Sequence, residues 1–295
     1  MQIILQILHG LQLGSIYALV ALGYTMVYGI AQLINFAHGE IIMVGSYITL
    51  FTIQFQLIKM GLPPYLAVIP AILGCVLMGV FIERVAYKPL RNSPRISNLI
   101  TAIGVSLLLQ NLFMKVFSAS ARPVPKIFDN GPISIGSLQI PFVTIMTIVI
   151  TAVLTIALQL FMKKTKYGKA MIATSEDYGA AAIVGINVDT TMTMTFAIGS
   201  ALAGVASVLY LSHYAQVTPL MGSMLGIKAF TAAVLGGIGL IPGAVAGGLI
   251  LGVIEALTRA YLSSRLADAL VFGVLIIVLL VKPTGILGKD EREKV

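Results

Sequence analysis

Apolar runs of about twenty residues recur along this chain, separated by short polar stretches. At 1.5 Å per residue, a helix of ~20 residues matches the ~30 Å hydrocarbon core of a bilayer. The backbone must satisfy its own polar groups there, which restricts the runs to helices. Composition agrees, with 58% apolar residues, a mean hydropathy of +0.99 and only 10% charged side chains. An ordinary soluble domain is excluded, and the expectation is an all-α polytopic membrane protein with about eight transmembrane helices in a single transmembrane domain, 1–295.

Spans are predicted at 7–29, 38–57, 65–82, 98–117, 141–162 and 190–210. A tight turn is expected at 59–64. Beyond 210 the pattern loosens. The run 226–235 is short enough to be a broken or re-entrant segment, GGIGLIPG interrupts it, a helix at 244–257 follows, and a last span is expected at 269–281. Gly10 and Gly14 form a GxxxG pair, and Gly239, Gly243, Gly247, then Gly248 and Gly252, keep a spacing of four, both devices for close helix packing. Pro242 accounts for the interruption before them. Cys75 lies alone in an apolar run as a small packing residue, so no disulfide framework and no cysteine metal site is expected.

Positive charge sets the orientation. Loops after the third and fifth spans hold Arg84, Lys88, Arg91 and Arg95, then Lys163, Lys164, Lys166 and Lys169, and the tail holds Lys282, Lys289, Arg292 and Lys294. These are twelve of the nineteen basic residues, and placing them inside puts the N-terminus outside and the C-terminus in the cytoplasm. The net charge of +8 thus reads as inside loops rather than as a nucleic-acid surface. No Lys or Arg precedes Lys59, so a cleaved leader is not expected and the first span stays. Spans one and six begin on opposite sides, which allows an inverted repeat, with NFAHGE and LGGIGLIPG as its broken counterparts.

Two loops stand out. The stretch 163–189, KKTKYGKAMIATSEDYGAAAIVGINVD, is charged yet helix-like inside. Thr174 with Asp177 fits a capping box, Ala180, Ala181 and Ala182 favour helix, Gly185 supplies a stop, and Asp189 can cap the next span. A short helix held between two spans is a docking surface for a soluble partner. The outer loop, 118–140, carries Pro123, Pro125 and Pro132, and its PISIGSLQI alternates like a small hairpin.

Polar residues inside apolar runs are the candidates for a substrate path. Asn35, His38 and Glu40 lie at a helix break, where irregular backbone must face protein or a wet cavity. They either line a route or cap the second span at the interface. Glu255 precedes Arg259 by four residues, which favours an ion pair over a proton relay. Gln110 and Asn111 serve as interhelical glue or as substrate contacts, glue being the simpler reading. No GxxxxGK[ST], HExxH or GxSxG occurs, and His9, His38 and His213 are scattered, so neither catalysis nor a metal site is expected.

Over nearly its whole length the chain resembles the branched-chain amino acid permease subunit of bacterial ABC importers, in its Liv-type form with a short N-terminus. The segments that carry the likeness are INFAHGEIIMVGSY, ERVAYKPLRNSPRISNLITAIGVSLLLQN, TKYGKAMIATSEDYGAAAIVGINVD, TFAIGSALAGVAS, GIKAFTAAVLGGIGLIPGAVAGGLILGVIEAL and VKPTGILG. The resemblance implies a multi-pass protein of the bacterial inner membrane, with a second homologous permease, two cytoplasmic ATPase subunits and a periplasmic or lipid-anchored binding protein as partners. ATP and Mg would sit on the ATPases, this chain holding no cofactor and being no enzyme. ABC permeases contact their ATPases through E-A-A, three residues, G. Aligned on Gly185, this chain reads Gly179-Ala180-Ala181, the glutamate being replaced by Gly179, with Glu176 and Asp177 just before it. Leucine, isoleucine and valine are the implied cargo, and urea, short amides or other amino acids the alternative. An ion-coupled carrier would need Glu40 and Glu255 as its coupling groups.

Overall fold

In lipid a backbone amide finds no water, so each long apolar run closes its hydrogen bonds upon itself. The computed structural model describes residues 2–91, 93–135 and 138–288. Among these, eight helices are long and apolar enough to cross a membrane. In chain order the helices are α1 (Gln2–Ala31), α2 (His38–Met60), α3 (Pro64–Leu90), α4 (Arg95–Phe117) and α5 (Phe142–Lys164). Two short ones follow, α6 (Lys166–Glu176) and α7 (Tyr178–Ile183), then α8 (Val188–Tyr214), the shorter α9 (Met221–Gly236), α10 (Ile241–Tyr261) and α11 (Ser264–Val281). The protein is therefore an all-α multi-pass membrane protein.

The last third is more regular than the sequence pattern. The run at 226–235 is the body of α9, and the helix expected at 244–257 lengthens into α10, a full span. Pro242 lies in the first turn of α10, where its missing N–H costs nothing, so it starts the helix. The final span begins earlier than 269 because the Ser263 side chain accepts from the Arg265 amide and caps α11.

Two three-helix units, α1–α3 and α8–α10, share one plan. A Cβ on Gly23 would crowd the Gly199 carbonyl at 3.2 Å, and one on Gly199 would crowd that of Gly23 at 3.3 Å. Gly39 and Gly222 block each other in the same reciprocal way. Before each of these latter glycines the chain makes the same turn, His38 N–H donating to Asn35 O at 3.0 Å and Met221 N–H to Thr218 O at 3.3 Å. The third helix of each unit packs on the first helix of the other, α10 on α1 and α3 on α8. This is an inverted repeat. Its broken counterparts are the stretches entering α2 and α9. LGGIGLIPG is not the partner of NFAHGE: Gly239 instead lies against Gly29, beside the end of α1.

The glycine ladder serves two neighbours. Gly248 and Gly252 meet α1 at Ala18, Gly14 and Gly10, whereas Gly243 and Gly247 meet α9 at Gly236 and Ala232. Gly239 precedes α10, at φ +94°, and belongs to neither face. Such backbone contact is the main attraction available between helices in lipid. Cys75 fills a gap against Gly45 and donates to Ile41 O.

The two ends of the bundle differ. At one end, β1 (Arg122–Pro123) begins the 118–140 loop, and β2 (Ile133–Ile135) and β3 (Leu138–Ile140) form the expected hairpin, whose turn at Gly136 and Ser137 lies outside the described residues. β4 (Gln216–Val217), just after α8, pairs antiparallel with β1 and ties this loop to the unit boundary. The other end gathers α6, α7, the last turns of α3 and the 282–288 segment. There the Ile286 and Leu287 amides cap the final carbonyls of α9 at Leu235 and Gly236. Lys289, Arg292 and Lys294, used for the orientation, lie outside the described residues.

Candidate functional site

The charged stretch 163–189 folds as two helices, not one. Thr165 caps α6 by accepting from the Gly168 amide. Thr174 does not start a helix: it is buried inside α6 and its hydroxyl donates to Ala170 O. Asp177 is the cap of α7, accepting from the Ala180 amide at 2.9 Å. Gly185 ends the turn at φ +87°, with its amide on Ala182 O and that of Ile186 on Ala181 O. Asp189 does not cap α8 either; Asn187 does, by accepting from the Thr190 amide. Around α7, Glu176, Asp177, Gly179, Ala180 and Gly185 are exposed, and Ala181 faces inward. Ile183 and Val184 are 87% and 73% exposed, an apolar tip held away from the bundle.

This element is connected to the spans behind it. The Tyr178 hydroxyl donates to Ile30 O at the end of α1, 3.2 Å away. Lys88 and Arg91, at the end of α3, both pair with Asp189, and Arg91 also reaches Glu83 at 3.0 Å. Sequence reasoning missed Glu83, which is buried in a π-helical turn of α3, Glu83–Tyr87. In the same turn Tyr87 donates its hydroxyl proton to Asn35 Oδ1 at 3.0 Å.

Asn35, His38 and Glu40 are brought together as buried groups where α2 meets α9. The His38 ring packs edge-on to Tyr24 in space left by the missing side chain of Gly23. Glu40 lies in the first turn of α2, and its symmetry mate in α9 is Ser223. Glu40 Oε1 accepts from Gln110 at 2.7 Å, Ser106 at 3.1 Å and Ser223 at 3.2 Å, while Oε2 has no hydrogen-bond partner. The carboxylate thus lies beside the N-termini of two helices, whose dipoles favour negative charge. Gln110 also bonds Ser223 and joins α4 to this junction as glue. Asn111 is not part of it; it is exposed and donates to Leu107 O within its own helix.

Glu255 is fully buried, and the expected pair with Arg259 is present at 2.5 Å. It holds two further partners that the sequence did not disclose, Lys228 of α9 at 2.7 Å and the Tyr17 hydroxyl at 2.7 Å. The inverted repeat would have pointed to one of them. Thr193 is the counterpart of Tyr17, and it donates to Glu83 just as Tyr17 donates to Glu255. Each unit therefore ends its third helix with a buried glutamate, an arginine that follows it in the chain by eight or four residues, and a hydroxyl from the first helix of the other unit.

Comparison of the sequence with known proteins finds relatives over nearly its whole length. Residues 6–279 match the family model described as branched-chain amino acid transport system, permease component. The chain is similar to the high-affinity branched-chain amino acid transport system permease protein LivH of Salmonella typhimurium, 47% identical over 98% of this chain and 97% of that one. It is similar to the corresponding permease protein BraD of Pseudomonas aeruginosa, at 45% over 98% and 97% of the two chains. A probable branched-chain amino acid permease of Methanocaldococcus jannaschii is 32% identical over 95% of this chain and 90% of its own length.

Proposed function

This chain belongs to the branched-chain amino acid transport permease family, and we propose that it is the membrane subunit of an ABC importer carrying leucine, isoleucine or valine through the inner membrane. It works there with a second, homologous permease, and the lipid-facing helices α4 and α11 surround it with membrane. Two cytoplasmic ATPases hold ATP and Mg, and an external binding protein delivers the solute. The 163–189 segment is the ATPase-docking loop and the 118–140 loop faces the binding protein.

The observation that carries this reading is the capped helix α7 with its exposed Ile183–Val184 tip, set between two spans and bonded to the end of α1. When the ATPases close, force on α7 reaches α1 through Tyr178 and Ile30. Force on the start of α8 reaches α3 through Asp189, Lys88 and Arg91, and the Asn35 break through Tyr87. Two packed units sharing reciprocal glycine contacts can rock against one another, which shifts the population between outward-open and inward-open forms. The Glu40 junction lies where the two broken helices meet, so Asn35, His38, Glu40 and Gln110 stand along the route.

The test is reconstitution of the chain with its companion permease, ATPases and binding protein in liposomes, followed by ATP-dependent leucine uptake. Uptake requiring every component supports the assignment. ATP turnover stimulated by loaded binding protein, without leucine accumulation, moves the cargo to another solute, and failure to bind any ATPase removes the importer.

A further inference from the structure

The repeat accounts for Glu255, Arg259 and Tyr17 as a structural tie equivalent to the one at Glu83. It does not account for Lys228. With Gly39 matched to Gly222, the position of Lys228 is held in the first unit by Gly45, which serves only close packing. A lysine buried within a membrane helix is costly and calls for a reason. Lys228 is 6% exposed and bridges two carboxylates, Glu255 Oε1 at 2.7 Å and Asp268 Oδ1 at 2.6 Å. Asp268 belongs to α11, outside the repeat.

Beside this lysine is a cavity of about 180 Å³, roughly the share of liquid volume taken by six waters at ~30 Å³ each. Tyr17, Tyr210 and Tyr214 supply its aromatic wall, with Lys228 on a third side. Arg259 and Asp268, each more than a third exposed, stand at its mouth. The end of α8 borders the 118–140 loop through β1 and β4, so the mouth opens toward the end assigned to the binding protein.

We propose that this cavity is an outer substrate subsite that takes the charged end of a net-neutral, zwitterionic amino acid. The four protein charges sum to zero, two cations against two carboxylates. A ligand carboxylate can replace Glu255 as a partner of Arg259, and its ammonium can replace Lys228 as the partner of Asp268. Inserting one positive and one negative group keeps every charge paired. A ligand with only one of the two groups leaves the cluster around buried Lys228 and Glu255 with an unbalanced charge, which their burial disfavours. The apolar side chain of the ligand then lies along Leu225 and the tyrosine wall. This inference rests on the importer reading and adds the place where the cargo first meets the permease.

The experiment is binding of tritiated L-leucine to the purified permease–ATPase complex, nucleotide-free and without binding protein. Saturable binding is expected, displaced by unlabelled L-leucine but not by L-leucinamide or 4-methylpentanoate, which each lack one charge. Asp268→Asn, at the exposed mouth, is expected to weaken binding at least tenfold while the complex still assembles. Lys228→Met is the interior variant and is read only where assembly is normal. Absence of saturable binding in an intact complex that transports leucine overturns the subsite and leaves the importer standing. Equal displacement by the three ligands, or wild-type affinity in Asp268→Asn, overturns it too. Failure of the full assembly to transport leucine instead strikes the cargo assignment beneath it.

Discussion

Gly39 and Gly222 each occupy the space where a side chain on the other would stand, and this backbone contact is the centre of the two-unit architecture. A Cβ on Gly39 would lie 3.0 Å from the Gly222 carbonyl carbon, and one on Gly222 would lie 2.9 Å from that of Gly39. Neither can be relieved by rotating a side chain. Gly39→Val or Gly222→Val should therefore separate α2 from α9 and cost about 1–3 kcal/mol or more through overpacking. Thermal stability of the purified complex is expected to fall by several degrees. Gly104, which a Cβ leaves in open space, is the control, and Gly104→Ala should leave stability unchanged or slightly raised.

The proposed place of Glu40 on the route can be separated from a role in the frame. Gln at this position keeps an oxygen for Gln110, Ser106 and Ser223 and removes the charge beside two helix N-termini. Glu40→Gln is expected to assemble normally and to lower leucine uptake about tenfold or more. Uptake kinetics equal to wild type would reduce Glu40 to a hydrogen-bond acceptor holding α4 in place.

In the proposed docking loop, Asp177→Ala removes the side-chain cap of a six-residue helix. Caps of this kind are worth about 0.5–2 kcal/mol, a large fraction for so short an element. Co-purification with the ATPase is expected to weaken several-fold while the permease remains in the membrane. Gly185→Pro acts more severely, because it deletes the amide bonded to Ala182 O and forbids φ +87°. ATP hydrolysis should then run uncoupled from uptake, and near-normal uptake by this variant would sink the loop assignment.

The elements that were legible in sequence are those whose cause is local. Apolar length set the spans, Gly185 marked the end of α7, and PISIGSLQI showed the hairpin of the 118–140 loop. What stayed hidden depends on contacts far apart in the chain. Two-residue strands such as Arg122–Pro123 and Gln216–Val217 carry no periodicity, and only the fold brings them together. Glu83 reads as one more charge in a basic loop until α8 packs over it, and nothing in the sequence around Lys228 shows the partner that α10 supplies in Glu255. The capping box at Thr174 failed because Thr165 starts the helix about two and a half turns earlier, which leaves Thr174 inside α6 with its hydroxyl on Ala170 O. Repeat symmetry was visible only as parity, since packing fixes its register and sequence does not.

The inner tie around Glu83 separates exposed from buried electrostatics. Asp189 is about half exposed, so its pairs with Lys88 and Arg91 are screened by water and salt and should contribute under ~1 kcal/mol to stability. Glu83 is buried, accepting from Thr193 at 3.0 Å and from Arg91 at 3.0 Å. Removing one partner of a buried pair typically costs about 3–5 kcal/mol. Asp189→Asn is therefore expected to change thermal stability little, with an effect that disappears at high salt. Glu83→Ala should destabilise the complex markedly at any ionic strength, and Thr193→Val should fall between them, losing one hydrogen bond to a charged group at about 1.5–3 kcal/mol. The discriminating measurement is the thermal midpoint of each variant at low and high salt. A salt-sensitive loss in Glu83→Ala equal to that of Asp189→Asn would show that the tie is solvated and that the two units are not locked at this end.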